Sequence, residues 1–395
     1  MLPRLITRYL LWELAKVFLV SSFAFVGLML VFGIVDEASD RGIGPDIVIQ
    51  LIPYIIPKAL MFAMPATCLF SICVVFGRMA ADNELIAIQA MGLHKSVVVV
   101  PALLMAFLLS IFAVWVNDVS FAWSYWGIER VVLKSTDQII YSTLRNEGRI
   151  RSEKFSIEVE GVEDRRLIRP IIIINESNSK QIRLVAEEAE LAAKPDTHEL
   201  VLTLKRGSAI FENRADYLFP DEVIPIPLKS PEEIAKATGN PSHLYLRQIG
   251  QAIEKQIADL EKLKQENAIR ACSQMVTGDL VGLTNADWKI RSDELSEAEA
   301  RLSRLHVVPH RRWANGFSCL AFAIIGIPVA LRMKTSNHAA TFGICFLPIL
   351  LIYYPLFMLG LDGAKMGSLP PWGAWLGDFT CMTIGAFLLY REFKR

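Results

Sequence analysis

Apolar residues in this chain collect into long runs near its two ends, with a charged stretch between them, and no other feature limits the fold so tightly. Val17 to Val35, Ser96 to Val116, Trp313 to Leu331 and Ala339 to Leu361 carry no charged side chain. As helices, such runs reach across the roughly 30 Å hydrocarbon core of a bilayer. Two further runs are interrupted: Ile47 to Phe76 holds Lys58 and the prolines Pro53, Pro57 and Pro65, and Trp372 to Tyr390 holds Asp378. Six helices this apolar would need far more soluble protein around them than 395 residues supply, so a membrane is the expected surrounding.

Lys and Arg in the short connections set the expected orientation. Arg4 and Arg8, Arg78 and Lys95, Arg332 and Lys334, and Arg391, Lys394 and Arg395 all fall on one side, which is expected to be cytoplasmic together with both termini. The opposite connections are acidic or sparse in charge, with Asp36, Glu37, Asp40 and Asp46 against Arg41, and Asp362 against Lys365. The large middle segment is then expected outside the cytoplasm. The first run is too long for a cleaved signal and no small-residue cleavage site follows it, so it is expected to stay as an anchor.

Several classes of chemistry find no support. The formal net charge is zero, which argues against a nucleic-acid partner. Five of the six cysteines lie in apolar runs and Cys272 stands alone, so no disulfide is expected outside the membrane. There is no G-x-x-x-x-G-K-[ST], H-E-x-x-H or G-x-S-x-G, and the histidines are scattered, so neither a nucleotide site, a metal nor an enzymatic activity is expected.

The middle divides in two. From about Gln138 to Leu228 short alternating or β-branched segments follow one another, among them Phe155 to Val159, Pro170 to Ile174, Gln181 to Val185 and Glu199 to Leu204, separated by turn residues. A β-sandwich or jelly roll is expected, serving as a spacer, a docking module or a conduit whose inner face holds something apolar. From about Leu244 to His306 the period becomes helical: Ile249, Ile253, Ile257, Leu260 and Leu263 form one stripe, and Leu295, Ala298, Leu302 and Leu305 another. Gly278 and Gly282 break the pattern between them, so an antiparallel helical hairpin is expected, with a structural or a docking role.

Three polar features stand out. Lys58 either snorkels to the headgroups or faces an anionic lipid, because a charge in hydrocarbon costs roughly 2.5 to 3.5 kcal/mol. Asp378, close to Trp372 and Trp375, is expected to be solvated near an interface. In the connection from Gly77 to Lys95, Asp82 is placed to cap a short helix with Leu85, Ile86, Ile88 and Met91 mostly on one side, and Gly92 to close it. Anionic headgroups would repel Asp82 and Glu84, so a protein partner fits this helix better than bare lipid.

That connection resembles the coupling-helix signature of the LptF/LptG permease family, the paired transmembrane subunits of the lipopolysaccharide-export ABC transporter. Arg8-Tyr-Leu-Leu-Trp-Glu13 resembles the family's R-Y-L-x-x-E, Ile56-Pro-Lys-Ala-Leu through Met64-Pro its proline-bearing second span, His310-Arg-Arg-Trp-Ala its H-R-R-x-A, and Pro370-Pro-Trp-Gly-Ala-Trp its P-P-x-x-A-x-W. The resemblance implies an α-helical membrane protein with six transmembrane helices, three on either side of an inserted periplasmic β-jellyroll-like domain followed by a helical hairpin. Its expected limits are 1–117 for the first three spans with the coupling helix at 78–92, 118–229 for the β domain, 230–310 for the hairpin and 311–395 for the last three spans. It further implies residence in the bacterial inner membrane, an LptB-like ATPase dimer, a second LptF/LptG-type permease subunit, an LptC/LptA-like periplasmic bridge, and lipopolysaccharide or a related lipid as substrate. Arg78, Asp82, Glu84, Leu85 and Gly92 would form the ATPase-coupling segment, with Glu84 in contact with the ATPase. Where some relatives have basic residues at the outer end of the first span, this chain reads Val35-Asp-Glu-Ala-Ser-Asp, which leaves Arg41 and Lys58 as the nearby cations for a lipid phosphate. Ile172 is the strand position expected to meet lipid if the β domain is a conduit. The hairpin is longer than the family's usual connection. A membrane scaffold that docks envelope proteins without transport is the other reading.

Overall fold

The computed structural model describes residues 2–41, 45–134, 140–141, 143–145, 148–151, 155–163, 166–175, 181–194, 199–211, 214–227, 241, 244–278, 286–333 and 338–394. Six helices among them are long and apolar enough to cross a membrane. Three precede the β domain: α1 (Leu2–Arg41), α2 (Pro45–Ala81) and α4 (Ser96–Lys134), with the short α3 (Glu84–Ala90) between the last two. After it come α5 (Leu246–Thr277), α6 (Ala286–Met333) and α7 (His338–Lys365), then a 3-10 turn (Pro371–Trp375) and α8 (Leu376–Lys394). Prolines stay inside α2, α4, α6 and α7 without ending them. In apolar surroundings a freed backbone group has no water to turn to, so leaving the helix would cost more than bending it.

The contacts form two compact units, one of Met1–Met29, Ile56–Ser124 and Gly239–Arg395, the other of Leu30–Ile55 and Tyr125–Thr238. In the first unit, α6 is the longest element at 48 residues, roughly 72 Å at 1.5 Å per residue, more than twice a hydrocarbon core. It runs without a break across position 310. Its first half packs antiparallel on α5, where the amide of Gln256 donates to the Ala298 carbonyl (3.2 Å) and Lys264 pairs with Glu299 (2.8 Å). Ile249 and Leu260 face that seam, whereas Ile257, expected on the same stripe, is 39% exposed. Gly278 ends α5 in the left-handed region (φ 73°); Gly282, Lys334 and Arg395 lie outside the described residues.

The second half of α6 packs on α7 and α8. Phe322, Cys345, Ile349, Tyr353, Phe357 and Cys381 share one buried core there, and Leu14, Met64, Phe76, Val98, Ala106 and Ile327 belong to another built by α1, α2, α4 and α6. Helix approach is close where side chains are absent. A Cβ on Gly360 would run into the Gly373 carbonyl, and one on Gly385 would come within 2.9 Å of the Ile324 and Ile325 backbone. The proline-tryptophan motif before α8 thus brings Gly373 against α7.

Among the described residues, the second unit holds an eight-stranded antiparallel sheet, consistent with the inserted β domain expected from the sequence. Its strands are β1 (Arg149–Arg151), β2 (Phe155–Glu158), β3 (Gly161–Glu163), β4 (Arg166–Ile168), β5 (Ile171–Asn175), β6 (Gln181–Lys194), β7 (Glu199–Phe211) and β8 (Arg214–Pro227). Strand β6 is the hub: β7 follows one edge along its length, and β5 and then β4 share the other. Ile157, Ile172 and Leu184 sit opposite one another in register, all buried. The buried positions of β6 change parity, from Leu184 and Ala186 to Ala189 and Leu191. The change falls where β6 exchanges β5 for β4 and where Arg169 and Arg206 both adopt positive φ (46° and 49°). Such a local twist curls a long sheet so that one face can enclose a core.

Candidate functional site

Helix α3 is the most distinctive local structure in the connection that sequence patterning singled out. It is seven residues long, held between two much longer helices. Leu85 and Ile88 are buried in the core that includes Leu10, Leu14 and Met79, and so fix α3 to the bundle. Ile86 and Met91 are 53% and 55% exposed on the other side, beside exposed Ala87 and Ala90, so the expected single apolar face is in fact two. At 100° per residue Ile86 cannot share the orientation of both Leu85 and Ile88. Glu84 opens the helix and is half-buried.

The N-terminal cap differs from expectation. Asn83 takes the cap position in the left-handed region (φ 57°) with no side-chain cap, and Asp82 is exposed, its N–H still bonded to the Arg78 carbonyl (2.9 Å) as a last turn of α2. Asp82 therefore continues the preceding turn instead of capping α3. Gly92 closes the helix as expected, with φ 79°, its N–H donating to the Gln89 carbonyl (2.9 Å) and that of Leu93 to Ile88 (3.3 Å).

Charged residues on both sides of α3 are tied to other helices. Arg78 Nη1 donates to Glu13 Oε1 on α1 (2.9 Å), and its Nη2 to the Tyr9 hydroxyl (3.4 Å). Lys95 Nζ donates to the Glu392 carboxylate (3.2 Å) and main-chain carbonyl (3.1 Å), while Arg332 Nε reaches the other oxygen of Glu392 (3.1 Å). Basic residues of α2, α6 and the start of α4 thus meet at the end of the bundle that carries α3. The R-Y-L-x-x-E motif contains Glu13 but does not indicate its partner, and the one signal for Glu392 in the sequence is an acid among the basic residues that close the last apolar run.

A second polar cluster lies midway along α4, where its apolar stretch ends. Arg312 is fully buried on α6 and bonds Asp118 of α4, and its Nη2 donates to the Leu244 carbonyl (2.7 Å). Asp118 also accepts the Leu246 N–H at the start of α5 (2.9 Å). Arg311 and Arg312 both stack on Phe121. The second arginine of H-R-R-x-A therefore fastens the hairpin to two spans.

The lipid candidates fall at separate places. Lys58 is exposed on α2, with no ion pair among the described residues. Arg41 closes α1, and its side chain lies outside the described part. Ile172 is fully buried in the β-domain core, between Ile157 and Leu184. Asp378 is not solvated, contrary to expectation: it is 0% exposed in α8, because α7 and α8 close over it at Gly377, where a Cβ would lie 2.9 Å from the Tyr353 carbonyl. On the β domain, a groove beside Arg169 and Arg206 is lined by charges that neutralise one another, Arg169 with Glu160 (3.2 Å) and Arg206 with Glu187 (3.1 Å).

The family model for the lipopolysaccharide export system permease LptF/LptG matches residues 8–391, nearly the whole chain. No curated protein matches this chain.

Proposed function

The chain belongs to the LptF/LptG family of lipopolysaccharide export permeases, and from that premise we propose that it is one transmembrane half of an ABC exporter. It takes lipopolysaccharide or a related envelope lipid from the inner membrane and passes it to an LptC/LptA-like bridge. It hydrolyses no ATP itself; an LptB-like ATPase dimer does so, bound at α3. Both termini and α3 lie in the cytoplasm, and the β domain and hairpin lie in the periplasm.

The observation that carries this reading is α3. A helix rooted by Leu85 and Ile88, with Ile86 and Met91 turned outward and Glu84 at its first turn, has the two faces that a coupling element needs: one fixed to the spans, one free for a partner. Glu84 supplies an anion for a cation of the ATPase, and such a charge-assisted bond adds direction to apolar docking. A second permease subunit has surface to meet: 22% of the apolar stretch of α1 and 33% of that of α7 are buried, against 67% in α2 and α6. Acyl chains bind along those same open faces, with Lys58, and Arg41 at the end of α1, for the lipid phosphates.

The test is substitution of Glu84 by Arg in the tagged protein, followed by gentle detergent extraction and identification of what co-purifies. The variant is expected to insert as the parent does, to lose the ATPase and to stop lipid export. Normal ATPase recovery with normal export overturns α3 as the coupling site.

A further inference from the structure

We propose that the ion pairs flanking α3 are the joints that carry its movement into the spans, and that Glu13 and Glu392 are positioning residues of the transport cycle. The inference rests on α3 as the ATPase-docking helix and adds how a push on it is distributed. By chain connectivity α3 pulls directly on α2 and α4 alone. Arg78, four residues before Asp82, binds Glu13 and so makes α1 move with α2. Lys95, immediately before α4, binds Glu392, whose second oxygen holds Arg332, so α4, α8 and α6 move together. Helix α3 therefore lies at the junction of an α1–α2 pair and an α4–α6–α8 trio, and tilting it changes the angle between them. Among the described residues α7 enters no ion pair of this group.

These are not ordinary surface pairs. The carboxylates are the shielded partners: Glu392 is 12% and Glu13 18% exposed, with Lys95 at 11%, whereas Arg78 and Arg332 are each 34%; in the pair within α7 the carboxylate of Asp362 is 59% exposed and Lys365 37%. Exposed pairs are screened and loose, whereas half-buried ones are held in low dielectric and keep their geometry. Glu392 also uses one carboxylate oxygen for Lys95, at the foot of α4, the other for Arg332 of α6, and its main-chain carbonyl for Lys95 again, a three-way contact that apolar packing cannot replace by sliding. The three helices meet at one carboxylate.

The experiment reconstitutes the protein with its co-purified ATPase and second subunit in phospholipid vesicles carrying lipopolysaccharide, and measures ATP hydrolysed and lipid moved in the same sample. Glu13→Gln and Glu392→Gln, which keep shape and acceptor oxygen, are expected to retain the ATPase and its hydrolysis while lipid moved per ATP falls several-fold. The exchange Glu13→Arg with Arg78→Glu is expected to restore the ratio, which a role in packing alone would not allow. An unchanged ratio in both Gln variants, or an exchange that folds and binds ATPase yet stays uncoupled, overturns the joints while leaving α3 as the docking site. Absence of any ATPase from the wild-type preparation overturns both readings.

Discussion

Arg312 and Lys58 are both cations on membrane helices, yet one is withdrawn completely from solvent and the other stands exposed. The difference lies in partners. Arg312 has the Asp118 carboxylate and the Leu244 carbonyl within reach, so its buried charge is compensated; Lys58 is exposed on a long, flexible stem and needs no protein partner to offset burial. Breaking a buried pair leaves one charge behind and costs roughly 3–5 kcal/mol, whereas an exposed pair contributes about 0–1 kcal/mol. Arg312→Met is therefore expected to lower the unfolding midpoint of the detergent-solubilised protein strongly, Lys365→Met hardly at all, and Asp118→Asn combined with Arg312→Met less than the sum of the two single changes. Equal shifts for Arg312→Met and Lys365→Met would show that the cluster does not hold the hairpin to the spans. Arg312 was legible as a motif residue, but Asp118 was not, because an acid just beyond an apolar run looks like any solvated loop acid.

At the scale of elements, the spans owe their packing to small residues as much as to large ones. Between helices in lipid there is little hydrophobic gain, so close approach and dispersion carry association. Gly385 lets α8 lie against the backbone of α6 at Ile324 and Ile325, while Gly343 on α7 has nothing within 4 Å of an added Cβ. Gly385→Ala is expected to destabilise by about 1–3 kcal/mol through overpacking, and Gly343→Ala to be neutral or to gain up to about 1 kcal/mol in helix propensity. Thermal unfolding in one detergent separates the two, and equal midpoints would mean that the α6–α8 contact is not tight. Short elements were the harder ones to read. The two faces of α3 merge in the sequence pattern because Leu85, Ile86, Ile88 and Met91 lie too close together to select one helical face, and only its seating on the bundle shows which pair is buried. Strand β8 escaped notice because its prolines and acidic residues interrupt the alternation that marks β5 and β6.

For the molecule as a whole, the question is whether the β domain is a route or a support. Its core is closed around Ile157, Ile172, Leu184 and Leu202, each 3% exposed or less, so lipid entering it must part side chains that are now in contact. If the domain conducts lipid, that parting follows the ATP cycle. A photo-crosslinking residue at Ile172 is expected to label lipopolysaccharide only while ATP is being hydrolysed. Labelling that ignores ATP, or labels protein alone, would make the domain a support.

The membrane spans, the hairpin and the β-rich middle were determined by the sequence alone, because each is a property summed along the chain: a run of apolar residues against a bilayer's thickness, or a period of 3.6 against one of two. Which polar residues meet was decided only by the tertiary structure. Lys95 and Glu392 are 297 positions apart, Asp118 and Arg312 194, and Arg78 and Glu13 65. Local periodicity contains no term for partners so distant. Their pairing, and the burial of Asp378, depend on helices closing on one another across a distance the sequence does not record.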